Sequence, residues 1–201
     1  MEYYLWAESI LQAMVDSALA GNVRAVFLLN RPFYEASFKG TWLCVIDPNG
    51  LRDADIDDTS LEVLAAQIDE VIRERFNVWV PAGDHSELAR FSKFLKSSVL
   101  LGLASEGKAK HSTVIQRLHN DIHNSIHSIE YYKALKDGQL VHSAKEICSV
   151  AWQPFLWTLR LCLSKRFPEG KINSTNLNDI YRSSLVGGIE RLNTLPAKKT
   201  Q

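Results

Sequence analysis

No run in this chain of 201 residues approaches the about 18 consecutive apolar residues that a membrane-crossing helix needs. A membrane-spanning role is therefore not expected. The first residues, MEYYLWAES, include an acidic side chain and no basic stretch, so they do not read as a secretory signal. Cysteine is scarce and odd in number. Cys44, Cys148 and Cys162 each sit inside apolar runs, which favours reduced, buried thiols and a cytoplasmic setting. No CxxC, HExxH or GxSxG occurs, which excludes the commoner zinc and serine-hydrolase signatures. Glycine-rich phosphate loops are missing too. Gly187-Gly188 lies within RSSLVGGIERL, where it favours close helix packing over ligand binding. There is no internal repeat and no low-complexity segment.

Hydrophobic content of 46% and charged content of 23% are those of an ordinary globular protein. Net charge is zero but unevenly spread. Residues 1–82 hold 6 basic and 13 acidic side chains, a balance of −7, and residues 83–201 hold 17 and 10, a balance of +7. A basic half suits a polyanion such as nucleic acid, and it equally suits docking against the acidic half or a partner protein. Lys93, Lys96, Lys108, Lys110, Lys133, Lys136 and Lys145 are scattered rather than clustered, as on a solvated face. No helix-turn-helix, RRM or KH signature accompanies them.

Leu5, Ile10, Leu11, Met14 and Ala18 recur at helical spacing, and Gly21-Asn22 closes that helix. The run Val23 to Leu29 is short and rich in β-branched and aromatic residues, which predicts a strand broken at Asn30-Arg31-Pro32. A second strand is expected over Thr41 to Ile46, before the turn sequence Asp47-Pro48-Asn49-Gly50. Asp53, Asp55 and Asp57 alternate as in a calcium loop, but Asp58 and Leu64 stand where the EF-hand needs Gly and Glu. Thr59 and Glu62 instead form a capping box for a helix from Ser60 to Phe76, with Val78-Trp79-Val80 as a third strand.

Only helices are expected beyond Gly83. Asp84 and Glu87 open one running to about Ala104. Ser143 and Glu146 form a capping box for a strongly apolar helix that ends near Arg166 and is kinked by Pro154. A last helix covers about Ser174 to Leu192. The expected fold is thus α-rich α+β: a small acidic α/β unit with about three short strands over residues 1–82, then a basic bundle of four helices over 83–201.

The densest chemistry lies in HSTVIQRLHNDIHNSIHSIEYYKALK, residues 111–136, which carries four of the six histidines. Ile115, Leu118, Ile122, Ile126 and Ile129 form one helical stripe, and Asp137-Gly138 supplies the stop. His119, His123 and His127 follow at intervals of four on a flanking stripe, joined by Glu130. His123, His127 and Glu130 have the spacing of metal ligands on one helix, and His142 and Glu146 of the next helix could complete such a site. No cofactor is implied.

The segment RLHNDIH, Arg117 to His123, resembles the Rx4–6H motif of HEPN-domain proteins, all-helical ribonucleases and nucleotide-binding partners of toxin and defence systems. The resemblance covers seven residues. It departs from the family pattern at Leu118, where a polar residue is usual, and at Asn124 after the histidine. It implies a metal-independent ribonuclease in which Arg117 steadies phosphate charge and His123 moves a proton, across a dimer. His119, one turn before His123, is the third candidate catalytic side chain. Against this stands a regulatory or binding module of the cytoplasm, acting through its basic helical half on a protein partner, a second copy or nucleic acid.

Overall fold

The computed structural model describes residues 2–46, 61–79, 84–105, 133, 136, 138–166, 177, 179–181 and 185–195. Six helices account for nearly all of them, and no strand occurs among the described residues. They are α1 (Glu2–Leu19), α2 (Val23–Ile46), α3 (Leu61–Trp79), α4 (His85–Ser105), α5 (Gln139–Arg166) and α6 (Gly187–Thr194). The α+β expectation is therefore overturned.

The reversal centres on α2, where two expected strands and the break between them form one helix of 24 residues. Its start is set locally. Gly21 takes a left-handed φ of 77° that ends α1, and the Asn22 side chain accepts from the Ala25 N–H at 3.4 Å. Pro32 sits inside the helix without ending it. Proline removes the bond to the carbonyl four residues earlier, here that of Leu28. Pro32 and Leu28 are both exposed, so water can donate to the released oxygen. The β-branched content that suggested strands serves burial instead. Val23, Val26, Phe33 and Ala36 enter one core, and Phe38, Trp42 and Val45 enter another. The third expected strand fails likewise: Val78 and Trp79 finish α3, with Trp79 buried. The Asp53–Asp58 run and Thr59 lie outside the described residues.

The long helices α2 and α5 run through both cores and pack on each other, while α1 and α6 flank one end and α3 and α4 the other. The first core gathers Leu11, Met14 and Val15 of α1 with Phe155 of α5. Tyr4 and Tyr181 meet there through their hydroxyls. The second gathers Ile68 and Ile72 of α3 with Phe91 and Leu95 of α4 and Trp157 of α5. The rings of Phe91 and Trp157 pack edge to face at 5.7 Å. Each fully buried Phe contributes about 1.5–3 kcal/mol of transfer free energy. Both cores draw residues from before and after residue 83.

Side chains along the α2–α5 seam are small. Ser37, Gly40, Thr41 and Cys44 of α2 face Thr158 and Cys162 of α5. Thr158 Oγ1 donates to the Ser37 carbonyl at 3.3 Å and lies 3.1 Å from Thr41 Oγ1. A Cβ on Gly40 would lie 3.2 Å from Thr158 Cγ2 and 3.3 Å from Tyr3 Cβ, so glycine lets three helices approach there. Because 37 and 41 meet 158 while 44 meets 162, the two helices run in the same direction along this seam.

The expected opening of α4 holds. Asp84 Oδ1 accepts from the Glu87 N–H at 2.7 Å and from Ser86 Oγ at 2.8 Å. The capping box expected at Ser143 does not form, because α5 begins earlier, at Gln139, behind Gly138 with φ 71°. Ser143 is then one turn inside the helix, and its hydroxyl donates back to the Gln139 carbonyl at 3.1 Å. Pro154 lies within α5, which continues past it to Arg166. Of the last expected helix, Leu177, Asp179 and Ile180 are helical, and α6 follows from Gly187 beyond a wide turn in which the Val186 N–H donates to the Tyr181 carbonyl.

Candidate functional site

Arg117, His119, His123, His127 and Glu130 all lie outside the described residues. Within 111–136 only Lys133 and Lys136 are described, both helical and exposed. The neighbouring pair from the metal reading is described. His142 Nε2 and Glu146 Oε1 are 3.1 Å apart at an exposed edge of α5. No group of three metal-binding side chains forms among the described residues.

That edge of α5 borders a concave surface. Leu140, Ala144, Cys148, Ala151 and Phe155, spaced by three or four, bury one face of the helix in the first core. Its other face carries His142, Glu146, Val150 and Gln153 toward solvent. Val150 is apolar yet 60% exposed amid these polar neighbours. Beside it, α6 ends at Leu195, which is 43% exposed. A groove of about 700 Å³ runs between them, with Lys145, Ser149 and Asn193 along its length. A second cavity of about 390 Å³ adjoins it, where Val141, Ala144 and Val23 meet the α1–α2 turn, and Lys145 and Leu195 line both.

Two polar contacts fix the groove's width. Lys145 Nζ donates to the Leu195 carbonyl at 2.7 Å, placing a positive charge at the C-terminal end of α6, where the last carbonyls lack helical partners. One turn on, Ser149 Oγ donates to Asn193 Oδ1 at 3.3 Å. Chemically, the groove offers apolar surface at Val150 and Leu195, with the His142–Glu146 pair and the Asn193 amide on its rim. Cys148, one residue from Ser149, points into the core, and burial pushes its thiol up to about 12.

A second polar cluster joins α4 to α5. Glu87 Oε1 accepts from Trp157 Nε1 at 3.1 Å and from Arg160 Nη1 at 3.2 Å. Arg160 is only 3% exposed, and its Nε has no hydrogen-bond partner among the described residues. Burial lowers the Arg160 pKa, and the Glu87 carboxylate opposes that shift. A cavity of about 330 Å³ lies over the pair, with Arg90, Trp152 and Gln153 on its walls. Both charges of this cluster are committed to each other, so it reads as a clamp between helices. Lys96, one of the scattered lysines, is likewise engaged, 2.7 Å from Asp69 of α3.

Sequence reading weighed His142 and Glu146 as metal ligands, and Glu146 also as part of a capping box, and missed the groove. The available signal was Val150, an apolar residue on the polar stripe His142, Glu146, Gln153. What that signal lacked was Leu195 and Asn193, distant in sequence and brought in by α6. No protein family, no curated protein and no solved structure matches the chain. No described helix is long and apolar enough to cross a membrane.

Proposed function

We propose that this chain is a cytoplasmic helical binding module whose basic half holds a protein partner in the groove along α5. The observation that carries this reading is Val150, exposed in the middle of a concave surface, with Leu195 across from it and a polar rim around both. Apolar floors with polar rims are how protein interfaces combine affinity with solubility in the free state. The groove belongs to residues 142–195, within the half that carries the +7 balance. The suited partner presents an apolar side chain flanked by groups that hydrogen-bond to His142, Glu146 and Asn193. A second copy of the chain is included among such partners.

The test is affinity capture with three baits: wild type, Val150→Glu, and Leu28→Glu as an exposed control outside the groove. A groove-bound partner is retained by wild type and Leu28→Glu and depleted about tenfold or more by Val150→Glu, as for a central interface residue. Identical capture by all three baits contradicts the reading. RNA incubated with the purified chain in EDTA stays intact on this account. Metal-free cleavage abolished by both Arg117→Ala and His123→Ala would replace it with the ribonuclease that RLHNDIH suggests.

A further inference from the structure

Two of the three cysteines, 118 residues apart in sequence, lie against each other: Cys44 Sγ and Cys162 Sγ are separated by 3.4 Å. Their meeting follows from the seam. Gly40, Ser37 and Thr41 let α2 approach α5 closely, the Thr41 and Thr158 hydroxyls meet at 3.1 Å, and the next turn brings the two thiols together. Both cysteines are half-buried, whereas Cys148 is fully buried. Their surroundings differ. Cys162 packs against the first core and Cys44 against the second. The thiol pair therefore stands where the two cores join.

We propose that Cys44 and Cys162 form a reversible intramolecular disulfide that locks α2 to α5 at the junction of the two cores. The oxidant is a low-molecular-weight disulfide such as glutathione disulfide. One protein thiol gives up its proton and attacks a glutathione sulfur, and glutathione thiolate leaves with the electron pair of the broken S–S bond. The second protein thiol then loses its proton, attacks the sulfur now carrying glutathione, and expels the other glutathione thiolate. The protein has lost two electrons and two protons, and two molecules of glutathione thiol have formed. Closure needs the sulfurs to move about 1.4 Å nearer, from contact to bond length. Cys148, with its thiol pushed up by burial to about 12, is neither acidic nor accessible enough to compete.

The test uses the full wild-type chain, incubated with excess glutathione disulfide, quenched with acid, denatured and titrated for thiols. Of three thiols, one is expected to remain, and digestion without reductant should yield the Cys44–Cys162 cross-linked peptide from a monomer. Dithiothreitol should restore all three. Cys148→Ala should oxidise as wild type does, while Cys44→Ser should stop at a glutathione adduct on Cys162. The oxidised chain should unfold at a higher denaturant concentration than the reduced one, because the bond restricts the unfolded ensemble. Stable glutathione adducts on wild type, pairing with Cys148, cross-linked dimers, or retention of all three thiols would each overturn the proposal. An oxidised chain no harder to unfold would overturn the lock.

Discussion

Removing the Glu87 carboxylate should destabilise the protein far more than removing the whole ion pair it belongs to. Arg160 is 3% exposed and is held by one carboxylate oxygen at 3.2 Å, while the same oxygen accepts from Trp157 Nε1. Glu87→Ala leaves a buried guanidinium with no counter-charge and strips the indole N–H of its acceptor. Breaking a buried pair from one side costs about 3–5 kcal/mol. Glu87 retains 27% exposure, so water entering the vacated space places the cost toward the lower end of that range. For a chain of this length each kcal/mol is worth about 2–4 °C in melting temperature, so a fall of about 6–12 °C is expected. Arg160→Met removes the charge and keeps the stem's packing. The double variant Glu87→Ala/Arg160→Met should then recover most of the loss, since apolar replacements of buried pairs are often close to neutral. Thermal and denaturant unfolding of the four proteins gives the coupling directly. A loss below about 1 kcal/mol for Glu87→Ala, or a double variant no better than the single, would refute the account of this clamp.

Two further variants test how helices are started and packed. A Cβ on Gly188 would lie 2.5 Å from Val15 Cγ1, on a buried β-branched side chain that cannot rotate away. Gly188→Ala should therefore destabilise by about 1–3 kcal/mol, less any gain in helix propensity, and become neutral or stabilising on a Val15→Ala background. Equal effects on both backgrounds in denaturant unfolding would contradict the close approach of α1 and α6. At the start of α4, the Glu87 N–H and Ser86 Oγ bonds hold the Asp84 carboxyl below its ordinary 3.8. Because the folded value is the lower one, the stability it contributes is complete above 3.8 and is lost as pH falls through the folded value. Asp84→Asn keeps a capping side chain but does not titrate. The denaturant midpoints of the two proteins should differ by a constant amount above about pH 5 and converge below about pH 4. Parallel curves throughout would remove Asp84 from the account.

Where a helix has one apolar face and a local stop, its place was legible in the sequence. Leu11 and Met14 mark the buried side of α1 and Gly21-Asn22 its end. Asp84 marks the start of α4, and the run from Ile147 to Leu163 marks α5 as a central helix. The helix α2 was not legible. Its first half buries Val26 and Phe33 in one core and its second half buries Trp42 and Val45 in the other, so no single stripe spans its length. Pro32 interrupts the pattern as well, although Pro32 itself and Leu28 one turn earlier are exposed. The His142–Glu146 pair was visible as an i, i+4 spacing, but its setting was not. The groove depends on Lys145 reaching the Leu195 carbonyl 50 residues later, a contact no local pattern encodes. The thiol pair is hidden for the same reason, since Cys44 and Cys162 each read alone as core residues.

Backbone hydrogen exchange, read peptide by peptide with and without a protein captured by the wild-type bait, tests the proposed binding surface most directly. Bound partner should slow exchange at residues 142–150 of α5 and 193–195 at the end of α6, with other described helices unchanged. Protection confined to other surfaces, leaving 142–150 as in the free chain, would contradict the groove as the binding site.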